Sequence, residues 1–346
     1  MNVTVIQKGY EKIIVNCILK FLLPEGIILY GGYGRNEGSW ILRKGKKPEP
    51  YNDFDILLVV NKVVSSNLIA EIKHSIKSEI SIRWIDLSQI KVLKLKKLKN
   101  SIYNYDLKYG SKILYGNEKL QSFIPDLKSN AIPLKDIDIL FKTRIWTLVG
   151  CFDDNSFDQI SGASSMFFRN QMAKSVLASV DSCLLLKQQY HYSYRQRVKI
   201  FLNTSNELEY FELVSWALNE KLRPQECDMS VSEVQKMYFN VAEFFLRCFF
   251  NGLSKYYKQT INNETDIERV YLYETRNFIK REIKNVLYGS GDHNAYMIIL
   301  QFLCVRYLLN KDERTLKRIK FLANKIDIFD ESFEGIRRQI SILRLS

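Results

Sequence analysis

Residues 29–39 read Leu29-Tyr30-Gly31-Gly32-Tyr33-Gly34-Arg35-Asn36-Glu37-Gly38-Ser39, and residues 52–57 read Asn52-Asp53-Phe54-Asp55-Ile56-Leu57. A short apolar run from Ile27 to Tyr30 reads as a buried strand that stops at Gly31-Gly32. A glycine pair at such a turn lets backbone N–H groups approach an anionic ligand closely, and a helix beginning straight after adds its positive end. Phe54 to Val60 reads as a second buried strand. Asp53 and Asp55 stand at i and i+2 on that extended segment, so both carboxylates point to one side. Adjacent carboxylates repel unless a divalent cation lies between them, and hard oxygen ligands suit Mg²⁺. A glycine turn or a lone Asp-x-Asp is weak evidence taken singly. In this order, each with an apolar strand, they form a specific pattern, because acids flanked by Phe54, Ile56 and Leu57 are costly to bury without a partner.

Working outward, residues 7–23 carry apolar side chains at helical spacing (Tyr10, Ile13, Ile14, Cys17, Ile18, Phe21, Leu22) and end at Pro24. Residues 65–77 read as a helix, Glu79 to Ile85 as a third strand, and Ser88 as the cap of a lysine-rich helix. Lys91, Lys94, Lys96, Lys97 and Lys99 alternate with Val92, Leu93, Leu95 and Leu98, the pattern of an amphipathic helix with a solvated basic face. Beyond residue 125 the texture changes. Pro125 and Pro133 bracket a linker, and helical patterns then cover 135–150, 163–189, 206–219, 231–259, 265–287, 293–309 and 311–325. The expectation is an α+β chain: a small mixed-sheet domain over 1–125, then an all-helical domain over 135–346.

The order hydrophobic strand, Gly31-Gly32, loop, Asp53-Phe54-Asp55 resembles the signature of the DNA polymerase β-like nucleotidyltransferase superfamily, in particular its minimal and aminoglycoside-type bacterial members. Lys112-Ile113-Leu114-Tyr115-Gly116-Asn117 is similar to an element that often closes that domain. The resemblance spans about residues 25–125. It implies Gly31 and Gly32 as the backbone cradle of a triphosphate and Asp53 and Asp55 as Mg²⁺ ligands. The implied co-substrate is a nucleoside triphosphate, ATP foremost. The implied acceptor is a hydroxyl of a small molecule or a protein, with pyrophosphate released. Gly32 stands where many members carry Ser, so a hydroxyl contact to phosphate is missing. Arg35 is placed either to reach phosphate or to make an ion pair between elements. The family also adds a third carboxylate from a later strand. Ser81 occupies the usual place, Asp86 and Glu79 are the nearby acids, and pleat parity sets Asp86 on the opposite side from Glu79. Asp86 is the leading candidate for catalytic acid or base, Glu79 the second, and absence of a third acid the remaining reading. In that last case the protein binds nucleotide as a regulator.

Lys174, Asp181, Tyr190, Tyr192, Tyr194, Arg195 and Arg197 form a polar-aromatic stretch able to stack on a base or hold an acceptor, though such residues at helical spacing more often serve core and rim packing. The 51 Lys and Arg against 38 Asp and Glu give +13, which favours phosphorylated or polyanionic partners. An RNA nucleotidyltransferase would use that charge, but no RNA-binding module is recognisable. The six cysteines show neither metal-ligand nor secreted-disulfide spacing, His74, His191 and His293 are dispersed, and no run of about 18 apolar residues suggests a membrane span. A cytoplasmic location is the expectation.

Overall fold

The computed structural model describes residues 2–343 except 81, 83, 154 and 273–292. The chain is α+β, with one four-stranded mixed sheet and long helices. It divides into two compact units. Unit 1 comprises 1–133, 187–208 and 218–225, and unit 2 comprises 134–186, 209–217 and 226–346.

In unit 1, helix α1 (Val3–Leu19) begins where the Asn2 side chain accepts the Thr4 amide, and it buries Ile6, Ile14, Cys17 and Ile18. The chain straightens before Pro24, whose ring disfavours helical backbone in the residue before it. Strand β1 (Gly26–Tyr30) leads into a single helical turn, α2 (Gly31–Gly34). A two-residue ladder, β2 (Trp40–Ile41) with β3 (Glu49–Pro50), precedes β4 (Phe54–Val60). Then come α3 (Ser66–Glu79), β5 (Ile85–Lys91), the one-turn α4 (Val92–Leu95), α5 (Ile102–Tyr109) and β6 (Lys112–Gly116). The sheet order is β5-β4-β1-β6, with β5 parallel to β4 and the other two pairings antiparallel.

Alternation gives the sheet two unlike faces. Phe54, Ile56, Leu58, Ile27, Leu29, Ile85 and Leu87 pack with α1 and α3 in a wholly apolar layer. Leu57, Val59 and Ile28 pack with Leu95, Leu107, Leu120 and Ile124 on the other face. The third strand differs from the sequence expectation. The helical backbone capped by Ser65 runs to Glu79, burying Ile72 and Ile76, and the strand starts six residues later at Ile85. Ser88 lies inside that strand rather than capping a helix, and the lysine-rich helix shrinks to one turn. The parallel ladder from Phe54↔Ile85 to Val60↔Lys91 outweighs the helical periodicity of 89–98.

Unit 2 is helical. It contains α6 (Lys135–Arg144), α7 (Trp146–Val149), α8 (Gly162–Leu186), α11 (Val231–Tyr257), and further helices His293–Asn310, Glu313–Lys325 and Phe333–Leu343. An isolated bridge, Ile160↔Met229, pins its loops. Phe141 stacks near Phe245, Phe249 and Tyr271. Buried Asp138 is satisfied by Lys142 at 2.6 Å and by the hydroxyls of Tyr257 and Tyr271. Helix α9 (Tyr194–Thr204) belongs to unit 1. Helix α10 (Phe211–Leu222) contributes its residues from 218 onward to unit 1. Most of the expected helix over 265–287 and Ser81 lie outside the described residues. All six cysteines are free. Among the described residues no helix is long and apolar enough to cross a membrane.

Candidate active site

The carboxylates meet at the entry end of β4. Tyr30 pairs with Asp55 across β1–β4, and Asp55 pairs with Asp86 across β4–β5. Cross-strand partners point to one face, so Tyr30, Asp55 and Asp86 form a row, with Asp53 two residues upstream on the same side. Asp55 is half-buried, whereas Asp53 and Asp86 are exposed. Its carboxyl is pushed up to about 7, first by burial and then by the like charges of Asp53 and Asp86. Glu79 is remote in role: it ends α3 and pairs with Lys20 at 3.3 Å on the surface.

Gly31 adopts φ +65°, and a β-carbon there would fall 1.8 Å from Asp55 Oδ2. Only glycine permits both that backbone and that approach, so the turn lies directly against the carboxylate. A β-carbon at Gly32 would stand 3.2 Å from the Glu37 carbonyl, a tight fit. The helix after the glycines is one turn, so its dipole adds little to the exposed amides.

Polar links fix this turn to the second strand. Asn52 donates its amide to the Ser39 hydroxyl at 2.9 Å, Ser39 donates to the Lys221 carbonyl, and the Tyr51 amide donates to the Ser39 carbonyl at 2.9 Å. Buried Tyr33 stacks on Phe54 with centroids 4.1 Å apart and donates its hydroxyl to the Ser39 carbonyl at 2.8 Å. Lys221 is buried, and its positive charge acts on Asp55 in opposition to the neighbouring acids. Sequence reasoning missed it. It lies 166 positions from Asp55 in a helix whose pattern gives no sign of which face meets the sheet. Tyr103, half-exposed, stands edge-on to Tyr30 at 5.7 Å beside the row.

Arg35 makes the ion pair between elements, one of its two expected roles. It contacts Asp106 at 2.8 Å and Glu37 at 3.6 Å, and lies over the Tyr194 ring at 4.5 Å. Arg197 meets the same Asp106 at 2.8 Å, and the Tyr190 hydroxyl donates to it at 3.1 Å. Buried Glu37 accepts the Tyr194 amide at 2.8 Å, the Arg195 amide at 3.0 Å and the Ser193 hydroxyl at 2.7 Å, so it caps the first turn of α9. The polar-aromatic stretch thus separates: Tyr190 to Arg197 brace the glycine loop within unit 1, while Lys174 and Asp181 lie on α8 in unit 2.

Among the described residues no group of three or more His, Cys, Asp or Glu side chains is gathered so as to hold a metal by itself. The carboxylates at the end of β4 are hard oxygen donors of the type that suits Mg²⁺. That ion commonly takes one or two carboxylates and completes its shell with water and substrate phosphate oxygens.

No protein-family model matches the sequence, and no curated protein sequence matches it. Among solved structures, the chain is similar to the crystal structure of spectinomycin adenyltransferase AAD(9) from Enterococcus faecialis with ATP and spectinomycin. The identity is 15%, the match covers 70% of this chain and 98% of that one, and the TM-score is 0.43. At that distance, function has to be read from the residues themselves.

Proposed function

We propose that the chain is a nucleotidyltransferase of the polymerase β-like superfamily, transferring a nucleoside monophosphate from a nucleoside triphosphate to a hydroxyl of a small-molecule or protein acceptor. The observation that carries this reading is the Asp55–Asp86 register pair lying against Gly31, whose backbone leaves no room for a side chain between turn and carboxylate. Gly31 and Gly32 form the triphosphate cradle, and buried Lys221 adds a positive charge next to the carboxylates. Asp53 and Asp55 would hold Mg²⁺, which would supply positive charge to offset the negative charge that develops during phosphoryl transfer. Asp86 is the base. It takes the acceptor's hydroxyl proton as that oxygen bonds to the α-phosphorus and the bond to pyrophosphate breaks. Arg35 holds the loop through Asp106 and Glu37 instead of touching phosphate.

A thermal-shift series of the four nucleoside triphosphates with Mg²⁺ tests the binding half. At about 100 times its dissociation constant a ligand adds roughly 2.7 kcal/mol to stability. The expected result is a shift with at least one nucleotide, ATP first, that vanishes in the Asp53→Asn/Asp55→Asn double variant. Absence of any shift in the wild type sinks the proposal. Binding without pyrophosphate release across a broad acceptor panel favours a nucleotide-binding regulator.

A further inference from the structure

Unit 1 carries a second concavity that shares no residue with the carboxylate row. It has a volume of about 650 Å³ and lies between α1, residues 36–42, Lys112, the first turn of α9 and the end of α10. Lys8, Lys112, Arg195 and Arg223 converge on it from four different elements, against one carboxylate, Glu11. Glu11 is committed to Lys112 at 2.5 Å and accepts the Gln7 amide at 2.8 Å, while Lys112 also reaches the Asn36 side chain at 3.5 Å. The side chains of Lys8, Arg195 and Arg223 have no ion-pair partner among the described residues.

We infer that this groove binds a small organic phosphate. Like charges brought together on a concave wall raise the local potential, and a multivalent anion relieves it. The two arginine forks of Arg195 and Arg223 and the Lys8 ammonium match the several oxygens of a phosphate or diphosphate head better than a single carboxylate. The volume is that of a small-molecule site, roughly 300–1,000 Å³. Leu42 and Leu222 in the wall offer apolar surface for the organic part. Asn36 and Gly38 line the groove from the loop that follows Gly31-Gly32, so occupancy bears on that loop.

The probe is inorganic pyrophosphate, titrated calorimetrically into the full chain in EDTA-containing, Mg²⁺-free buffer. Wild type binds saturably at one site, and Asp53→Asn/Asp55→Asn binds within about threefold of it. Lys8→Glu/Arg223→Glu loses about tenfold or more in affinity, whereas Lys8→Arg/Arg223→Lys keeps most of it. Both residues are exposed, so folding of the charge-reversed variant is verified by its melting curve. If that variant is misfolded, Lys8→Gln/Arg223→Gln replaces it, with an expected loss of about threefold or more. No saturable binding by wild type, undiminished binding by the charge-removed variants, or loss confined to the aspartate double variant would each overturn the inference. Only the last of these outcomes leaves pyrophosphate binding assigned to the carboxylate row.

Discussion

Two charged clusters in unit 1 treat charge in opposite ways. In the first, Arg35 and Arg197 close on Asp106 at 2.8 Å each, Glu37 caps α9, and Tyr190 and Tyr194 shield the guanidinium groups. In the second, Asp53, Asp55 and Asp86 share the entry end of two strands, with Lys221 and, less strongly, Arg35 as opposing charges that act on Asp55. A compensated cluster is what folding alone produces, since a buried charge survives by being paired. A cluster of like charges raises the energy of the ligand-free fold and persists where a ligand relieves it. The difference supports reading the first cluster as architecture and, under the proposed function, the second as chemistry.

The sharpest way to break this comparison is through activity. If the proposed function holds, Asp55→Asn should lower nucleotidyl transfer by at least about 10³-fold, measured as pyrophosphate release once an acceptor is found, because it removes a charge that would receive the metal. A tenfold effect or less would reduce the carboxylate row to decoration.

Stability gives the next largest contrast. Asp106→Asn leaves Arg35 and Arg197 facing a neutral amide and should cost about 3–5 kcal/mol in denaturant unfolding at pH 7. A cost below 1 kcal/mol would mean that the first cluster is not structural.

Asp55→Asn should act the other way on the ligand-free protein. In the folded chain Asp55 holds its proton up to about 7, while the unfolded chain releases it near 3.8. Folding stability therefore falls as pH rises through that interval, and the loss stays in full above it. The amide variant escapes that loss, so it should be more stable than wild type by about 2 kcal/mol at pH 8. The advantage should fade toward pH 4. That figure is discounted for partial exposure, and thermal melts across pH 4–8 read it directly. A destabilised variant at pH 8 would show the row to be compensated after all.

Legibility followed the same division. The sequence shows β1 and β4 almost to the residue, since apolar runs bounded by Gly31-Gly32 and by Asn52-Asp53 are local signals. It misplaces the third strand, because 79–91 carries both helical and strand periodicity and only pairing with β4 chooses between them. Helix α9 is anchored by Glu37, more than 150 residues away. No local pattern contains that contact.

What the sequence determined by itself is the pair of motifs, Gly31-Gly32 and Asp53-Phe54-Asp55, because turn conformation, strand burial and i/i+2 geometry are properties of neighbouring residues. Tertiary structure alone decided that Asp86 rather than Glu79 stands next to Asp55, that Arg35 braces the loop, and that Lys221 faces the acids. Each of these depends on strand register or on helix docking. Those are set by the summed packing of the whole unit, in which no single stretch of sequence holds a deciding share.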